Sequence, residues 1–170
     1  MRKMTNKGQR WLKSFHVFFS CCWVGAAVCL TTSMFFTNAT DGMQLYGIHI
    51  ALKFIDDFII IPGAMGCLLT SLIYSLFTNW GWFKHRWITV KWIINVGGVV
   101  FGTFWLGPWL NSLPSIAKLE GLNALANQTY VHNQNMLYVW GTLQAATLVF
   151  AVFISVLKPW KKKKSEIATR

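Results

Sequence analysis

Four apolar stretches, each about as long as a bilayer is thick, limit what this chain can fold into. They run over residues 15–36, 58–78, 87–109 and 136–157, and Lys91 is the only charged residue within them. Roughly 20 apolar residues of helix cross the hydrocarbon core, where every backbone polar group must be paired within the segment. We therefore predict an all-α polytopic membrane protein: a four-transmembrane-helix bundle in a single membrane domain, residues 1–170.

The composition agrees with a membrane protein and argues against a soluble one. Of the 170 residues, 54% are hydrophobic and 12% are charged, about half the charged fraction of a typical soluble domain. The net charge of +11 is a feature of many nucleic-acid-binding proteins. Here, however, no soluble domain carries a folded basic face, so the sequence excludes nucleic acid as a partner and indicates the lipid bilayer instead.

The basic residues flank the apolar stretches and set the expected orientation. Of the 16 Lys and Arg residues, 13 fall in three groups: residues 2–13, residues 84–86, and the tail over residues 158–170. Cytoplasmic loops of membrane proteins are enriched in Lys and Arg. We therefore predict a multi-pass protein of the cell membrane with its N-terminus, its C-terminus and the basic tail in the cytoplasm.

The segments that connect the four apolar stretches predict their own structure less clearly than the stretches do. The segment "LYGIHIALKFIDDF" before the second stretch mixes apolar and charged residues, which predicts an amphipathic helix lying at the surface or leading into the membrane. Pro62 is expected in the first turn of the second span, and Gly107 and Pro108 are expected to end the third. Residues 110–134 are expected to form a polar connection that can include a short helix over residues 116–126.

The third stretch carries a polar and small-residue stripe. Lys91, Asn95, Gly98 and Gly102 are spaced i, i+4, i+7 and i+11, so they share one helix face. Gly98-x-x-x-Gly102 is typical of close helix packing in lipid. Lys91 has two readings: its amine extends to the interface, or it faces inward and binds an anionic group.

The first stretch offers a matching face at the same depth. His16, Ser20, Trp23 and Ala27 follow one another along one side of the helix. His16 lies one turn beyond Lys13, and Lys91 lies five residues beyond Arg86. Since both helices enter from the predicted cytoplasmic side, we expect the imidazole and the amine to line one cavity.

Histidines suggest a metal or haem site. His16, His49 and His132 are the candidate metal ligands, although His49 and His132 are also explained as polar residues at loop ends. Imidazole is a good axial ligand for haem, and helix bundles accommodate porphyrins between apolar faces. Asp56 and Asp57 precede the predicted second span, so the spans hold no carboxylate, which argues against a proton-coupled transporter.

Several segments resemble one family of membrane proteins. "WLKSFHVFFSCCWVGAAV" resembles the first helix of the small bacterial integral-membrane protoporphyrinogen oxidases. "DDFIIIPGAMGCLLT", "WITVKWII" and "ISVLKPW" resemble the second helix, the third helix and the closing Lys-Pro of that family. The matching residues are Trp11, Lys13, His16, Trp23, Gly25, Pro62, Ala64, Met65 and Lys91. Copper-resistance membrane proteins of the D type share a similar His-Trp-Gly pattern.

This resemblance implies a haem b protein with a redox role, of which porphyrinogen oxidation is one form. His16 would be an axial ligand, and Lys91 would contact a propionate or take part in proton transfer as the candidate catalytic residue. Trp23, Asn95 and Gly98, on the same two faces, are further candidates for cofactor binding. A quinone is a candidate electron acceptor.

Three alternatives stay open at the level of sequence. After the haem hypothesis, the next interpretation is a non-enzymatic membrane component, either a transporter of a metal or small solute or an accessory subunit. In the third alternative, the glycines of the third stretch mediate association of identical chains, and the protein serves as a scaffold.

Overall fold

The computed structural model describes residues 4–77 and 86–158 of the chain, and within these ranges it is built of helices without strands. Four of its helical rods are long and apolar enough to cross a membrane. The predicted four-helix, all-α architecture is therefore confirmed at the level of helix number, length and composition.

Three of the four rods are composite, with a π-helical turn in the interior. The first rod is a single helix, α1 (Asn6–Phe36). The second joins α2 (Gly42–Ile55), a π turn (Asp56–Ile60) and α3 (Ile61–Phe77). The third joins α4 (Arg86–Phe101), a π turn (Gly102–Leu106), α5 (Gly107–Glu120) and a 3₁₀ helix (Gly121–Ala126). The fourth joins α6 (Gln128–Met136), a π turn (Leu137–Gly141) and α7 (Thr142–Leu157).

Polar side chains cap the helix starts, as the orphan N–H groups there require. Thr5 Oγ1 accepts from Gly8 N at 3.3 Å, and Asp41 Oδ1 accepts from Gln44 N at 2.8 Å. Asn127 Oδ1 accepts from Thr129 N at 2.9 Å and from Tyr130 N at 3.2 Å. These caps explain why the chain reverses sharply at Asp41 and Asn127.

The prolines do not mark helix boundaries, which corrects the sequence prediction. Pro62 lies inside a helix that is continuous from Gly42 to Phe77, and the third rod continues through Pro108 to Glu120 instead of ending there. A proline in a helix lacks an N–H and its ring presses on the carbonyl four residues earlier. Each of these prolines comes just after a π turn, whose wider backbone makes room for the ring.

The connection expected over residues 110–134 is also helical. α5, the 3₁₀ helix and the start of α6 occupy it, and the amphipathic segment continues into the second rod as α2. At 1.5 Å per residue, α1 alone is about 46 Å long, well beyond a hydrocarbon core of about 30 Å. The rods therefore extend past the predicted spans.

The two ends of the bundle differ in construction. One end, called here the terminal end, carries the start of α1 and the ends of α3 and α7, and Met4 N donates to Phe77 O there at 3.2 Å. At the opposite or far end, α2 packs on α5, and α6 joins them. Most of the basic residues that predicted the orientation, together with His85, lie outside the described ranges.

Close helix packing occurs between α1 and α3, at two glycines that the sequence analysis did not identify. A Cβ atom on Gly63 would lie 2.9 Å from the backbone N of Trp23, and one on Gly66 would lie 2.4 Å from the Phe19 ring. Both glycines are buried. The α1 and α3 backbones can approach this closely only because these positions have no side chain.

The Gly98-x-x-x-Gly102 motif, by contrast, is not a close-packing motif here. A Cβ on Gly98 would meet Trp23 Cζ2 at 3.8 Å, and one on Gly102 would meet Gln144 Nε2 at 3.5 Å, both ordinary contact distances. The expectation of tight packing at this pair is therefore wrong. The missing side chains leave open space instead of bringing helices together.

The far end holds the larger apolar core and a buried polar pair. Ten buried residues form the core: Leu30, Met34, Leu45, Leu52, Leu110, Leu113, Ala117, Ala124, Tyr130 and Leu137. His49, only 3% exposed, shares a hydrogen bond of 2.7 Å between its Nε2 and Tyr130 Oη. This bond ties α2 to α6 across the core.

Gly63→Ala is expected to destabilise the fold by about 1–3 kcal/mol, because the new methyl meets backbone atoms that cannot rotate away. Gly25→Ala, where an added Cβ has nothing within 4 Å, is the matched control. Thermal unfolding of the detergent-solubilised variants measures the difference. Equal stability of the two variants would contradict the assigned α1–α3 contact.

Tyr130→Phe is expected to cost about 1–3 kcal/mol, since it leaves the buried His49 ring without its partner. His49 Nδ1 already has no hydrogen-bond partner within the described part of the chain. Tyr46→Phe removes a hydroxyl from a half-buried tyrosine of α2 and serves as control. The same unfolding measurement applies, and a loss no larger than that of the control would refute the role of the pair.

Candidate functional site

A cavity of about 570 Å³ opens at the terminal end of the bundle, between α1, α3, α4 and α7. We call it the basic cavity, because its lining includes four cationic side chains: Arg10, Lys13, Lys91 and Lys158. None of its lining residues in the described ranges is Asp or Glu. Such a cavity carries a positive field that attracts anionic groups.

His16 and Lys91 line this cavity together, as their sequence depth suggested. α1 contributes His16 from the turn after Lys13, and α4 contributes Lys91 from the turn after Arg86 and Trp87. Asn95, one turn beyond Lys91, is 6% exposed and lines the inner part of the cavity. Three of the five residues predicted to bind a cofactor are therefore in one place.

A hydrogen bond fixes the orientation of the His16 ring. Its Nδ1 lies 2.9 Å from Thr70 Oγ1. The Thr70 hydroxyl donates to the carbonyls of Gly66, at 2.7 Å, and Cys67, at 3.0 Å, so its oxygen is left to accept. When the Thr70 hydroxyl donates to one of these carbonyls, His16 Nδ1–H donates to the Thr70 oxygen, and the neutral ring carries its lone pair on Nε2. This is the second-sphere arrangement that orients imidazole ligands in metal sites.

Lys91 supplies a positive charge that has no carboxylate partner among the described residues. It is half-buried, and the salt bridge seen within residues 4–77 and 86–158 joins Lys53 to Asp57, in the other half of the molecule. An ammonium in an apolar cavity is costly unless an anion compensates it. Lys91 is therefore placed to contact an anionic ligand in the basic cavity.

α3 adds a hydroxyl-rich wall to the basic cavity. Ser71, Tyr74 and Ser75 line the cavity beside Thr70, the residue that holds His16. The spacing of these residues puts them on one helix face, which is the signal that would have identified the wall. Trp87 and Trp92 of α4 provide flat apolar surface on the opposite side.

Trp23 and Gly98 do not share the basic cavity, which corrects their assignment to the same site. Each lies seven residues beyond the cavity residue on its own helix, about 10 Å further along the axis. Trp23 is 2% exposed and packs with Ala64, Cys67 and Leu148. It and Gly98 line a second cavity of about 400 Å³, called here the π-turn cavity because all three π turns contribute to its wall.

The three histidines proposed as metal ligands lie in different surroundings. His16 lines the basic cavity, His49 is bonded to Tyr130 in the far-end core, and His132 is exposed on α6. Among the described residues, no group of three or more His, Cys, Asp or Glu is arranged to hold a metal ion. A joint site made by these histidines is therefore excluded, and only His16 faces a cavity large enough for a cofactor.

The carboxylates of the second rod precede its apolar part, as the sequence predicted, but they lie within the bundle. Asp56 and Asp57 occupy a π turn inside a continuous helix, and both line the π-turn cavity. Asp56 lies about 30 Å from Phe77 along the rod, at the far-end boundary of the apolar part. The absence of carboxylates from the predicted spans therefore does not argue against a cation site within the bundle.

Comparison with known proteins adds no assignment. No protein-family model, no curated protein and no solved structure matches this chain.

Proposed function

We propose that this chain is a multi-pass protein of the cell membrane whose two termini lie in the cytoplasm. Four apolar rods support the membrane location. Among the described residues, Lys7, Arg10, Lys13, Arg86 and Lys158 lie at the terminal end of the rods. The positive-inside rule then makes the terminal end cytoplasmic and opens the basic cavity on that side.

We further propose that the basic cavity binds haem b or a closely related porphyrin, with His16 as an axial ligand, and that the protein has a redox role. The observation that carries this proposal is the His16–Thr70 hydrogen bond of 2.9 Å, which leaves the Nε2 lone pair of a cavity-lining imidazole available. An oriented imidazole is the protein group that haem iron most often takes.

The other groups of the cavity suit the rest of a porphyrin. Haem b is a flat apolar ring with two carboxylates at one edge. The Trp87 and Trp92 side chains offer apolar surface, and Lys91, Arg10 and Lys13 offer positive charge for propionates. The cationic groups lie mostly toward the terminal end, so the propionates would face the cytoplasmic interface.

The bound group would supply one-electron chemistry, and the chain would supply orientation and charge. Thr70 holds the imidazole, and Lys91 holds a carboxylate or passes a proton to a bound substrate. Oxidation of a porphyrinogen, the reaction implied by the resemblance of the first and third helices, is one reaction of this class.

His16→Ala is expected to abolish stoichiometric haem binding, because it removes the imidazole that lines the cavity. The protein is expressed under haem-replete conditions, purified in detergent, and examined for a Soret absorption band. His132→Ala removes an exposed histidine from α6 and is expected to keep the band. Wild-type protein without a Soret band, or an unchanged band in His16→Ala, would refute the proposal.

A second variant separates ligation from folding. Thr70→Val keeps the size of the side chain but removes the acceptor for His16 Nδ1–H, so haem should bind roughly 10- to 100-fold more weakly. Titration of the haem-free protein with haem measures this affinity. If haem binding required only an intact fold, Thr70→Val would bind as tightly as the wild type whenever its helix content was unchanged.

Lys91→Met is expected to weaken haem binding roughly tenfold or more, the effect of losing one charge-assisted contact to a carboxylate. Lys118→Met removes an exposed lysine at the far end and is the control. Replacing haem by its dimethyl ester should remove the difference between wild type and Lys91→Met. A Lys91 effect that persists with the ester would show that the amine does not contact a propionate.

A further inference from the structure

The π-turn cavity has a construction that the proposed haem site does not explain. All three π turns, Asp56–Ile60, Gly102–Leu106 and Leu137–Gly141, contribute to its wall. Single π turns in helices are uncommon and are found often at functional sites. Three that converge on one space of about 400 Å³ indicate a cavity shaped for a ligand.

The wall is apolar and made of small residues, with few polar atoms. Gly98, Gly102, Gly107, Gly141, Ala64 and Ala145 leave the space open. Thr31 Oγ1 donates to Ala27 O at 2.8 Å, and Thr103 Oγ1 donates to Val99 O at 2.9 Å. Because both hydroxyl hydrogens are used within their own helices, these groups offer the cavity only acceptor oxygens.

Gln144 adds another acceptor. Its Nε2 lies 3.2 Å from Gly98 O, a carbonyl that requires a donor, so the amide nitrogen must be on that side. The Gln144 Oε1 atom is therefore left to accept from another donor. A methyl on Gly98 or Gly102 would lie against this amide, within 4 Å of Nε2.

Asp56 provides a negative charge that the nearby Lys53 compensates only in part. The neighbouring carboxylate of Asp57 is paired with Lys53 at 2.8 Å, and the same Lys53 amine donates to Asn111 at 2.6 Å. The Asp56 side chain makes no hydrogen bond or ion pair to the residues that the structure describes. It is half-buried and lines the cavity. A half-buried carboxylate without a partner favours a cationic ligand.

We propose that the π-turn cavity binds a small organic cation, with Asp56 as its counter-charge and the Gln144 Oε1 atom as a second acceptor. The apolar wall, which includes the Trp23 ring, accommodates the organic body of the ligand and can interact favourably with its charge. This site is separate from the basic cavity and does not depend on haem.

The size of the cavity distinguishes an organic cation from a bare metal ion. A site for Ca²⁺ surrounds the ion with six to eight oxygens, and Mg²⁺ needs octahedral coordination. The π-turn cavity has more than ten times the volume of one water molecule, about 30 Å³, and only a few acceptor oxygens. Such a space suits a molecule of several heavy atoms with one charged end.

Binding of benzylammonium to the detergent-solubilised full-length protein tests the proposal, measured by isothermal titration calorimetry. Benzyl alcohol has the same ring without the charge and is the ligand control. The wild type should bind benzylammonium at least roughly tenfold more tightly than benzyl alcohol. Asp56→Asn should remove this preference, and Asp56→Glu, which keeps the charge, should retain it.

Matched variants locate the site. Glu120→Gln removes one negative charge from the exposed end of α5, where Gln can still accept from Asn127, and should leave binding unchanged. Gly98→Ala puts a methyl into the cavity at ordinary contact distances and should weaken binding. Gly97→Ala, whose methyl has nothing within 4 Å, should not. Circular dichroism checks the helix content of each variant.

Three results would overturn the proposal: no binding of benzylammonium to the wild type, equal binding of benzylammonium and benzyl alcohol, or equal losses in Asp56→Asn and Glu120→Gln. Haem content reports on the basic cavity independently. A protein without haem that binds benzylammonium through Asp56 would refute the haem proposal and support this one. A protein that binds haem but not benzylammonium would support the haem proposal and refute this one.

Discussion

The close contact of α1 and α3 is the interaction on which the rest of the structure depends. Gly63 and Gly66 allow the α3 backbone to lie against Trp23 and Phe19 of α1. Lipid gives helices little hydrophobic reason to associate, so such packing must supply the attraction. Thr70 lies one turn beyond Gly66 and His16 one turn before Phe19, and the same approach brings these two side chains to 2.9 Å. The contact that holds the bundle together therefore also orients the candidate ligand.

The π turns affect both the course of the helices and the lining of a cavity. They let Pro62 and Pro108 remain inside long helices, because the wider turn accommodates a ring that an α-helix would exclude. They also contribute residues to the wall of the π-turn cavity. Irregular backbone at membrane depth is tolerated where it is buried or lines a cavity, and here it lines one.

The bundle holds two cavities of opposite chemistry, one above the other. The basic cavity collects amines and a guanidinium with no acidic residue in its described lining, whereas the π-turn cavity has an unpaired carboxylate and acceptor oxygens. Along α1, the lining of the basic cavity ends at Val17 and the lining of the π-turn cavity begins at Trp23. An apolar interior does not tolerate uncompensated charge, and this is the physical basis for proposing ligands of opposite sign for the two cavities.

The sequence by itself determined that the chain is helical, that it has four rods of membrane-spanning length, and that His16 and Lys91 have the same depth. These properties follow from the number of consecutive apolar residues and from the rise per residue of an α-helix, both of which depend only on the segment itself. Only the tertiary structure decided that Thr70 fixes the His16 ring, that Trp23 and Gly98 belong to a second cavity, and that His49 and His132 lie apart. It also decided that the prolines lie within helices and that Asp56 faces a cavity. The reason is that the rotation of each helix about its axis and the distance between helices depend on which helix faces pack together. The spacing of residues in the sequence defines a face of one helix, but it does not specify the face of the neighbouring helix that packs against it.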